Sequence, residues 1–151
     1  MSTSKILSLL ISVCVSCTLA IVEAIILSEN INARSGCGNE VWGAVLACCI
    51  VHTIAFIVNF TLVMLLLINY EKYKNTRKIG LKLAVLGLSA AIWTLIAYYN
   101  ADSTCVDFYK TNHPDLWKML FVECILFYVV CGLIFLTACY ACWDVIHNDI
   151  E

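Results

Sequence analysis

The chain has 151 residues, of which 62% are hydrophobic and only 13% are charged, with a formal net charge of −2. Soluble globular domains are about 45–50% apolar and about 25% charged, so this composition excludes an ordinary soluble domain. The small net charge, with no stretch that interleaves basic and aromatic residues in the manner of an RNA-binding sheet, gives no support to a nucleic-acid partner, and we expect none.

Four stretches are long and apolar enough to cross a bilayer as helices. A membrane helix needs roughly 20 mostly apolar residues, because the hydrocarbon core is about 30 Å thick. The spans are predicted at about 6–27, 41–70, 79–99 and 116–143. The sequence therefore predicts an all-α integral membrane protein, a single four-helix transmembrane domain over residues 1–151.

The first span also resembles a signal peptide, since Lys5 and an apolar run precede a candidate cleavage site at Thr18-Leu19-Ala20. The apolar run continues to Leu27, which is longer than a usual signal core, and we expect a retained helix.

Small residues in the first and third spans predict faces that pack closely against neighbouring helices. They are Ser8, Ser12, Ser16, Ala20, Ala24 and Ser28 in the first span, and Gly80, Ala84, Gly87 and Ala91 in the third.

The connection between the second and third spans is basic. It carries Lys72, Lys74, Arg77, Lys78 and Lys82. Cytoplasmic loops of membrane proteins carry an excess of Lys and Arg, so this connection and both termini are expected to be cytoplasmic. Anionic lipid or an acidic partner is the other explanation for these residues.

The two halves of the chain show a weak internal repeat. Glu40-Val41-Trp42 at the start of the second span matches Asp115-Leu116-Trp117 at the start of the fourth, and a cysteine follows each tryptophan by seven residues, at Cys49 and Cys124. The pattern favours two tandem helical hairpins, residues 1–70 and 79–146. The alternative is that acidic residues and tryptophan both favour helix starts at a membrane interface.

Two of the ten cysteines, Cys37 and Cys105, lie in the two short loops on the side opposite the basic connection. We predict a disulfide between them if that compartment is oxidising; otherwise both are free thiols. Two C-x-x-C pairs, Cys14/Cys17 and Cys139/Cys142, are best explained as packing residues. Cys139 and Cys142 lie near the cytoplasmic interface and are candidate palmitoylation sites.

Four polar side chains fall within the spans. Glu23 lies four residues from the end of the first, while His52 and Glu123 lie about 16 Å and about 10 Å along the second and fourth. All three belong to the outer half or the centre of the bilayer, so they could converge. Ionisable groups at this depth indicate a proton or cation site, or else hydrogen bonds that tie helices together. Asn59 is expected to bond another helix.

We weigh three functions. The leading hypothesis is a non-enzymatic tetraspan protein, a structural or accessory subunit of a larger membrane assembly, in a cell or a virion. The alternative is a proton or cation transporter or channel subunit that uses the intramembrane Glu and His residues. Less favoured is a membrane thiol–disulfide oxidoreductase. We expect no cofactor and no metal, and the expected partners are the lipid bilayer and other membrane proteins or further copies of the chain.

Overall fold

Helices account for nearly all of the chain that the computed structural model describes, namely residues 3–35, 39–68, 72, 73, 76 and 79–148. Side chains are described for residues 6–34, 39–68, 72, 73, 76, 79 and 82–140. A short 3₁₀ helix, Ile31–Ser35, links the first two α-helices. The α-helices of the described ranges are α1 (Thr3–Glu29), α2 (Glu40–Ile68), α3 (Ile79–Asn100), α4 (Ser103–Asn112) and α5 (Pro114–Asn148).

Four of these helices are long and apolar enough to cross a membrane. Their spanning segments are Ile6–Glu29, Glu40–Ile68, Lys82–Asn100 and Pro114–Tyr140. Each overlaps one predicted span with ends that differ by a few residues, so the prediction of an all-α four-helix membrane bundle is confirmed.

Consecutive spanning helices run antiparallel, which divides the bundle into two ends. We call the end that carries residues 29–35, 39–40 and 100–114 the cap end, and the opposite end, where α1 begins and α5 finishes, the terminal end. α1 packs along α2, α2 packs on α3 and α5, and α3 packs on α5. The antiparallel pairs α1–α2 and α3–α5 correspond to the two predicted hairpins; their duplication stays a prediction.

The cap end contains a helix that the sequence did not predict, because residues 100–115 were expected to form a loop. Asp102 begins α4 by accepting a hydrogen bond from the backbone N–H of Cys105 at 2.7 Å, which satisfies a donor that the first turn leaves free. At its end the backbone N–H of His113 donates to Tyr109. Pro114 then opens α5, where its missing N–H costs nothing. The ten residues of α4 are too polar to resemble a span.

The tightest packing lies directly beneath α4. Tyr109, Leu116 and Leu120 are completely buried there, and the Tyr109 ring stacks on Trp117 with centroids 6.4 Å apart. Burial raises the pKa of the Tyr109 hydroxyl, so the phenol stays neutral. His113 and Asn30 form a 2.7 Å hydrogen bond that ties the α4–α5 junction to the end of α1. α4 therefore covers the cap end of the bundle as a lid.

The terminal half of the bundle is packed unevenly. A second cluster of buried residues, Leu62, Leu66 and Tyr73, contacts α1 through Ile6 and Leu9. By contrast, every residue of α5 from 131 to 140 is exposed. Towards the terminal end, α5 therefore diverges from the other helices, whereas α1 and α2 remain packed together along their length.

The small-residue face predicted on α1 packs only in its middle. Ser16 is buried, and Ser12 accepts a 2.8 Å hydrogen bond from the side chain of Asn59 on α2. Ala20 is half-buried, and the Cys49 thiol on α2 donates to its carbonyl at 3.7 Å. Ser8, Ala24 and Ser28, the other members of the predicted face, are exposed.

Replacement of Tyr109 by alanine is expected to destabilise the cap end strongly. Removing a fully buried aromatic side chain typically costs about 3–5 kcal/mol, because apolar burial is lost and a cavity remains. Thermal unfolding in detergent measures the effect. Tyr140→Ala is the control, since that ring is 72% exposed and its removal should change the midpoint little. Equal midpoints for the two variants would contradict the described packing of α4.

Candidate functional site

A buried hydrogen-bonded pair of an acid and a histidine joins α1 to α2 in the half of the bundle nearer the cap. The Nδ1 atom of His52 lies 2.9 Å from Oε2 of Glu23. The Glu23 side chain is completely buried, and that of His52 is 21% exposed. A carboxyl group with no contact to solvent or lipid requires a partner within the protein, and the imidazole supplies it.

A second carboxyl group reaches the same place from α5. Carboxylate oxygens of Glu23 and Glu123 and the thiol sulfur of Cys48 all lie within 4.8 Å of one another. All three side chains are buried. The Cys48 sulfur is also 3.2 Å from the hydroxyl of Thr94 on α3. Each of the four spanning helices therefore contributes a polar side chain to one cluster, which we call the acidic cluster: Glu23, Cys48, His52, Thr94 and Glu123.

The acidic cluster forms because its members continue the buried stripes of their helices. On α2, Cys48 and His52 are four residues apart, so their side chains share a face. That face continues towards the cap through the buried Val41, Ala44 and Val45. On α5, Glu123 follows the buried Leu116 and Leu120 at helical spacing. On α1, Glu23 lies between the buried Ser16 and Leu27 at the same spacing.

Hydrogen bonding within the acidic cluster is incomplete. Oε1 of Glu23 and Oε1 of Glu123 are both buried and have no hydrogen-bond partner. Two neighbouring carboxylates repel each other strongly at low dielectric, and one imidazole can balance only one of them. The arrangement of acids and base therefore calls for one further positive charge, carried by a proton or by a metal cation.

A groove between α2, α3 and α5 leads to the acidic cluster. Its cavity volume is about 480 Å³. His52, Cys48 and Glu123 line it, and the remaining lining residues are apolar or small. They include Val51 on α2, Ala84, Gly87 and Ala91 on α3, and Phe127, Val130 and Ile134 on α5. We call this the lateral groove; it runs from the cluster towards the terminal end.

Of the small residues predicted as a packing face on α3, Ala84, Gly87 and Ala91 line the lateral groove instead of meeting another helix closely, and Gly80 lies outside the residues whose side chains are described. A Cβ atom added to Gly87 would lie 3.9 Å from the nearest atom of Val51, an ordinary van der Waals contact. Ala84 is exposed, and Ala91 is half-buried. Their short side chains keep the space between α3 and α5 open.

The structure thus brings Glu23, His52 and Glu123 together but leaves Asn59 outside the acidic cluster. Asn59 lies seven residues beyond His52, about 10 Å further along α2, where it bonds Ser12. Cys48 and Thr94 were not predicted from the sequence as members of the acidic cluster. For Cys48 a signal was present, because it precedes His52 by four residues. For Thr94 there was none, since a lone threonine in a membrane helix usually bonds its own backbone, as Thr94 also does with Ala90.

The other predicted cysteine sites lie elsewhere. Cys105 is at the beginning of α4, and Cys37 lies outside the described residues, so the predicted disulfide stays a prediction. Cys14 and Cys139 are exposed free cysteines on helices in the terminal half. The side chain of Cys142 is outside the described part of the chain.

The basic connection is described only in part. Lys72 and Lys82 are exposed, whereas Lys74, Arg77 and Lys78 lie outside the described residues. At about 1.5 Å per residue, Lys82 precedes the groove-lining Gly87 by about 8 Å along α3. The two described side chains of the basic connection, Lys72 and Lys82, are therefore at the terminal end, away from the acidic cluster.

Comparisons with family models, with curated proteins and with solved structures find no match to this chain. The acidic cluster has to be interpreted from its own geometry.

Replacement of His52 by alanine is expected to destabilise the bundle, because Glu23 would keep its buried carboxyl group and lose its partner. Breaking a buried pair from one side typically costs about 3–5 kcal/mol. Further replacement of Glu23 by glutamine should recover part of this loss, because the unpaired acid is removed. Unfolding in detergent or bicelles at constant pH compares the single and double variants.

The exposed pair of Asp115 and Lys118, 3.2 Å apart, is the matched control. Lys118→Ala should change stability by less than about 1 kcal/mol, since exposed pairs contribute little. A double variant that is as unstable as the sum of its two single variants would show that Glu23 and His52 do not depend on each other.

Proposed function

We propose that the protein is a cation-binding subunit of a transporter or channel, and that the cation, a proton or a metal ion, binds in the acidic cluster. The observation that carries this proposal is the pair of unpartnered buried carboxylate oxygens, on Glu23 and Glu123, beside a single imidazole. Ionisable groups inside membrane spans are expensive and by default indicate ion or proton handling.

Access to the acidic cluster from one side supports the same proposal. Towards the cap end, the cluster is covered by the buried residues Val45, Leu116 and Leu120 and by the lid of α4. On the other side, His52 and Glu123 line the lateral groove. Alternating-access transport requires a site that is closed towards one side of the membrane while it is reached from the other, and closure at the cap end supports the first part of that requirement.

The apolar walls of the lateral groove favour a subunit over an autonomous transporter. A cation that passes the apolar side chains of Val51, Phe127 and Ile134 would lose water without gaining other ligands, which costs free energy. The path to the acidic cluster therefore needs polar groups from elsewhere. The exposed α5 segment, residues 131–140, forms one edge of the groove and offers a surface for another chain. We propose that this other chain completes the path.

Replacement of Glu123 by glutamine is expected to abolish cation flux while the fold is retained, because the amide keeps the size of the side chain and removes its charge. The protein is extracted gently, with the chains that co-purify with it, and reconstituted into liposomes. Entrapped dyes for protons and for divalent metals report the flux, and circular dichroism and gel filtration report the fold.

Asp115→Asn is the matched control for this experiment, since Asp115 is an exposed acid on the same helix. Flux through Asp115→Asn should equal that through the natural protein. Absence of any flux through the natural assembly, or undiminished flux through folded Glu123→Gln, would remove the transport proposal.

A second candidate function is the purely structural one, a tetraspan subunit that packs against other membrane proteins. The exposed apolar face of α5 favours it: Leu133, Ile134, Phe135 and Leu136 are each about 60–70% exposed. Membrane interfaces form by close packing, which these side chains do not find within the chain. Under this function the acidic cluster only ties α1, α2 and α5 together, and Glu123→Gln would leave the assembly intact without any flux to lose.

We also propose that the cap end faces the outside or a lumen and that both termini are cytoplasmic. The charges support this orientation, because an excess of positive charge is expected on the cytoplasmic side. By position in the chain, six basic residues belong to the terminal end and three to the cap end: Lys5, Lys72, Lys74, Arg77, Lys78 and Lys82 against Arg34, Lys110 and Lys118. Cys37 and Cys105 both belong to the cap end by their positions in the chain, so they would share an oxidising compartment.

A disulfide between Cys37 and Cys105 would then stabilise the fold. It would close a loop of about seventy residues, for which the chain-entropy model gives roughly 4 kcal/mol. We expect faster gel migration without reductant than with it, and no such difference for Cys105→Ser. Cys131→Ser is the control, since Cys131 is a free cysteine on α5. Alkylation of both loop thiols without prior reduction would contradict the disulfide.

A further inference from the structure

We propose that Glu23, Cys48 and Glu123 form a binding site for a thiophilic divalent metal ion, with Zn²⁺ the best match. This inference rests on the proposed cation-binding function and names the cation. Ligand atoms of the three side chains already lie within 4.8 Å of one another, although they come from three different helices. From the sequence we expected no metal, because these three residues are 25 and 75 positions apart and match no metal-binding motif.

The distances suit a metal after a small contraction. Zn²⁺ binds carboxylate oxygen at about 2.0–2.2 Å and thiolate sulfur at about 2.3 Å, so ligand atoms around it are about 3.3–3.8 Å apart. Closing the difference from 4.8 Å requires the Glu23 and Glu123 carboxyl groups to move inward, and both stand at the ends of side chains that rotate about several bonds. Cys48 is fixed on α2 and has its sulfur held by the Thr94 hydroxyl at 3.2 Å.

The unpartnered oxygens indicate that a ligand is missing from the acidic cluster. Glu23 is completely buried and Glu123 is 7% exposed, yet Oε1 of each has no hydrogen-bond partner. A buried carboxylate oxygen without a partner costs free energy, and coordination to a metal ion removes that cost. A proton shared between the two acids is the alternative occupant, and the titration below distinguishes the two, because only a metal cation also takes the Cys48 sulfur as a ligand.

The types of ligand atom select the metal. A sulfur ligand disfavours Mg²⁺ and Ca²⁺, which prefer sets composed only of oxygen. Two carboxylates beside one thiolate suit Zn²⁺, which accepts sulfur, nitrogen and oxygen ligands in a tetrahedron. Binding requires the Cys48 thiol to release its proton to the medium; no electron is transferred, and each bond formed is a coordination bond from oxygen or sulfur to the metal.

His52 acts as a positioning residue in this site. Its Nδ1 atom lies 2.9 Å from Oε2 of Glu23, so its N–H holds that carboxylate while Oε1 is left for the metal. Hydrogen bonds of this kind to a metal ligand commonly contribute 10–100-fold to metal affinity. With three protein ligands, the fourth position of the tetrahedron is open, as it is in zinc sites that exchange water or substrate. His52 and Glu123 also line the lateral groove, which gives that position an approach.

Metal binding to the full chain in detergent tests the site directly. Zn²⁺ is titrated by calorimetry, and Co²⁺ is titrated by absorbance, because cobalt bound to thiolate shows a charge-transfer band in the near ultraviolet. We expect one Zn²⁺ per chain, and a cobalt band that Zn²⁺ displaces. Cys48→Ser should abolish the band, Glu123→Gln should weaken Zn²⁺ binding at least tenfold, and His52→Ala should weaken it by about 10–100-fold.

Two matched variants control for other cysteines and acids. Cys131→Ser removes a thiol from the lateral groove about 12 Å along α5 from Glu123, and Asp115→Asn removes an exposed acid from the same helix. Both should bind Zn²⁺ and Co²⁺ as the natural chain does. Cys48→His should restore Zn²⁺ binding without the charge-transfer band, which separates loss of a ligand from loss of the fold.

The result that overturns the site is a natural chain that binds no Zn²⁺, or a cobalt band that survives Cys48→Ser. If every Cys48 variant fails to fold, the thermal midpoint of the natural chain decides, because a metal that binds only the folded state must raise it. Flux in liposomes is a separate measurement. Proton flux without metal binding would overturn the metal site and keep the transport proposal, and metal binding without flux would do the reverse.

Discussion

The hydrogen-bonded pair of Glu23 and His52 is the interaction on which the bundle most depends. α1 carries one buried acid among otherwise apolar and small residues, and it cannot leave α2 without exposing that acid to hydrocarbon. The apolar side chains of α1 do not hold it on α2 in this way, because contact with lipid is nearly as favourable for them as contact with α2. The polar pair therefore fixes the register of α1 on α2, and the bond from Asn59 to Ser12 repeats that register about 10 Å further along.

The same constraint explains why the two halves of the bundle differ. Near the cap, the Trp117 ring stacks with Tyr98 of α3 and with Tyr109 of α4. Towards the terminal end, α5 has no buried residue from 131 to 140, and α3 presents Ala84 and Gly87 to the lateral groove. Rigid packing on one side of the acidic cluster and free space on the other allow its acids to be held firmly while remaining approachable.

Much of this architecture follows from the sequence by simple physical rules. Continuous apolar runs gave the four spans, and depth along each helix placed Glu23, His52 and Glu123 at a common level. Helix α4 was missed because a polar ten-residue segment lacks the apolar length that marks a span; only Asp102 and Pro114, at its two ends, signal it. The contribution of Cys48 was missed for a different reason. The sequence shows which residues share a face of one helix, but the rotation of each helix about its own axis is set by packing between helices.

Rotation about the helix axes also decides whether the acidic cluster binds a cation or only joins the helices. In a hydrogen-bond network that serves only to join helices, every buried polar atom is expected to have a partner, because atoms without a partner weaken the network. Here the satisfied atoms, Oε2 of Glu23 and the Cys48 sulfur, face His52 and Thr94, while Oε1 of each acid has no partner. A network evolved only to join helices would gain stability from glutamine at either acid, since an amide donates to the neighbouring carboxylate. Two acids in contact are instead suited to binding a positive charge between them.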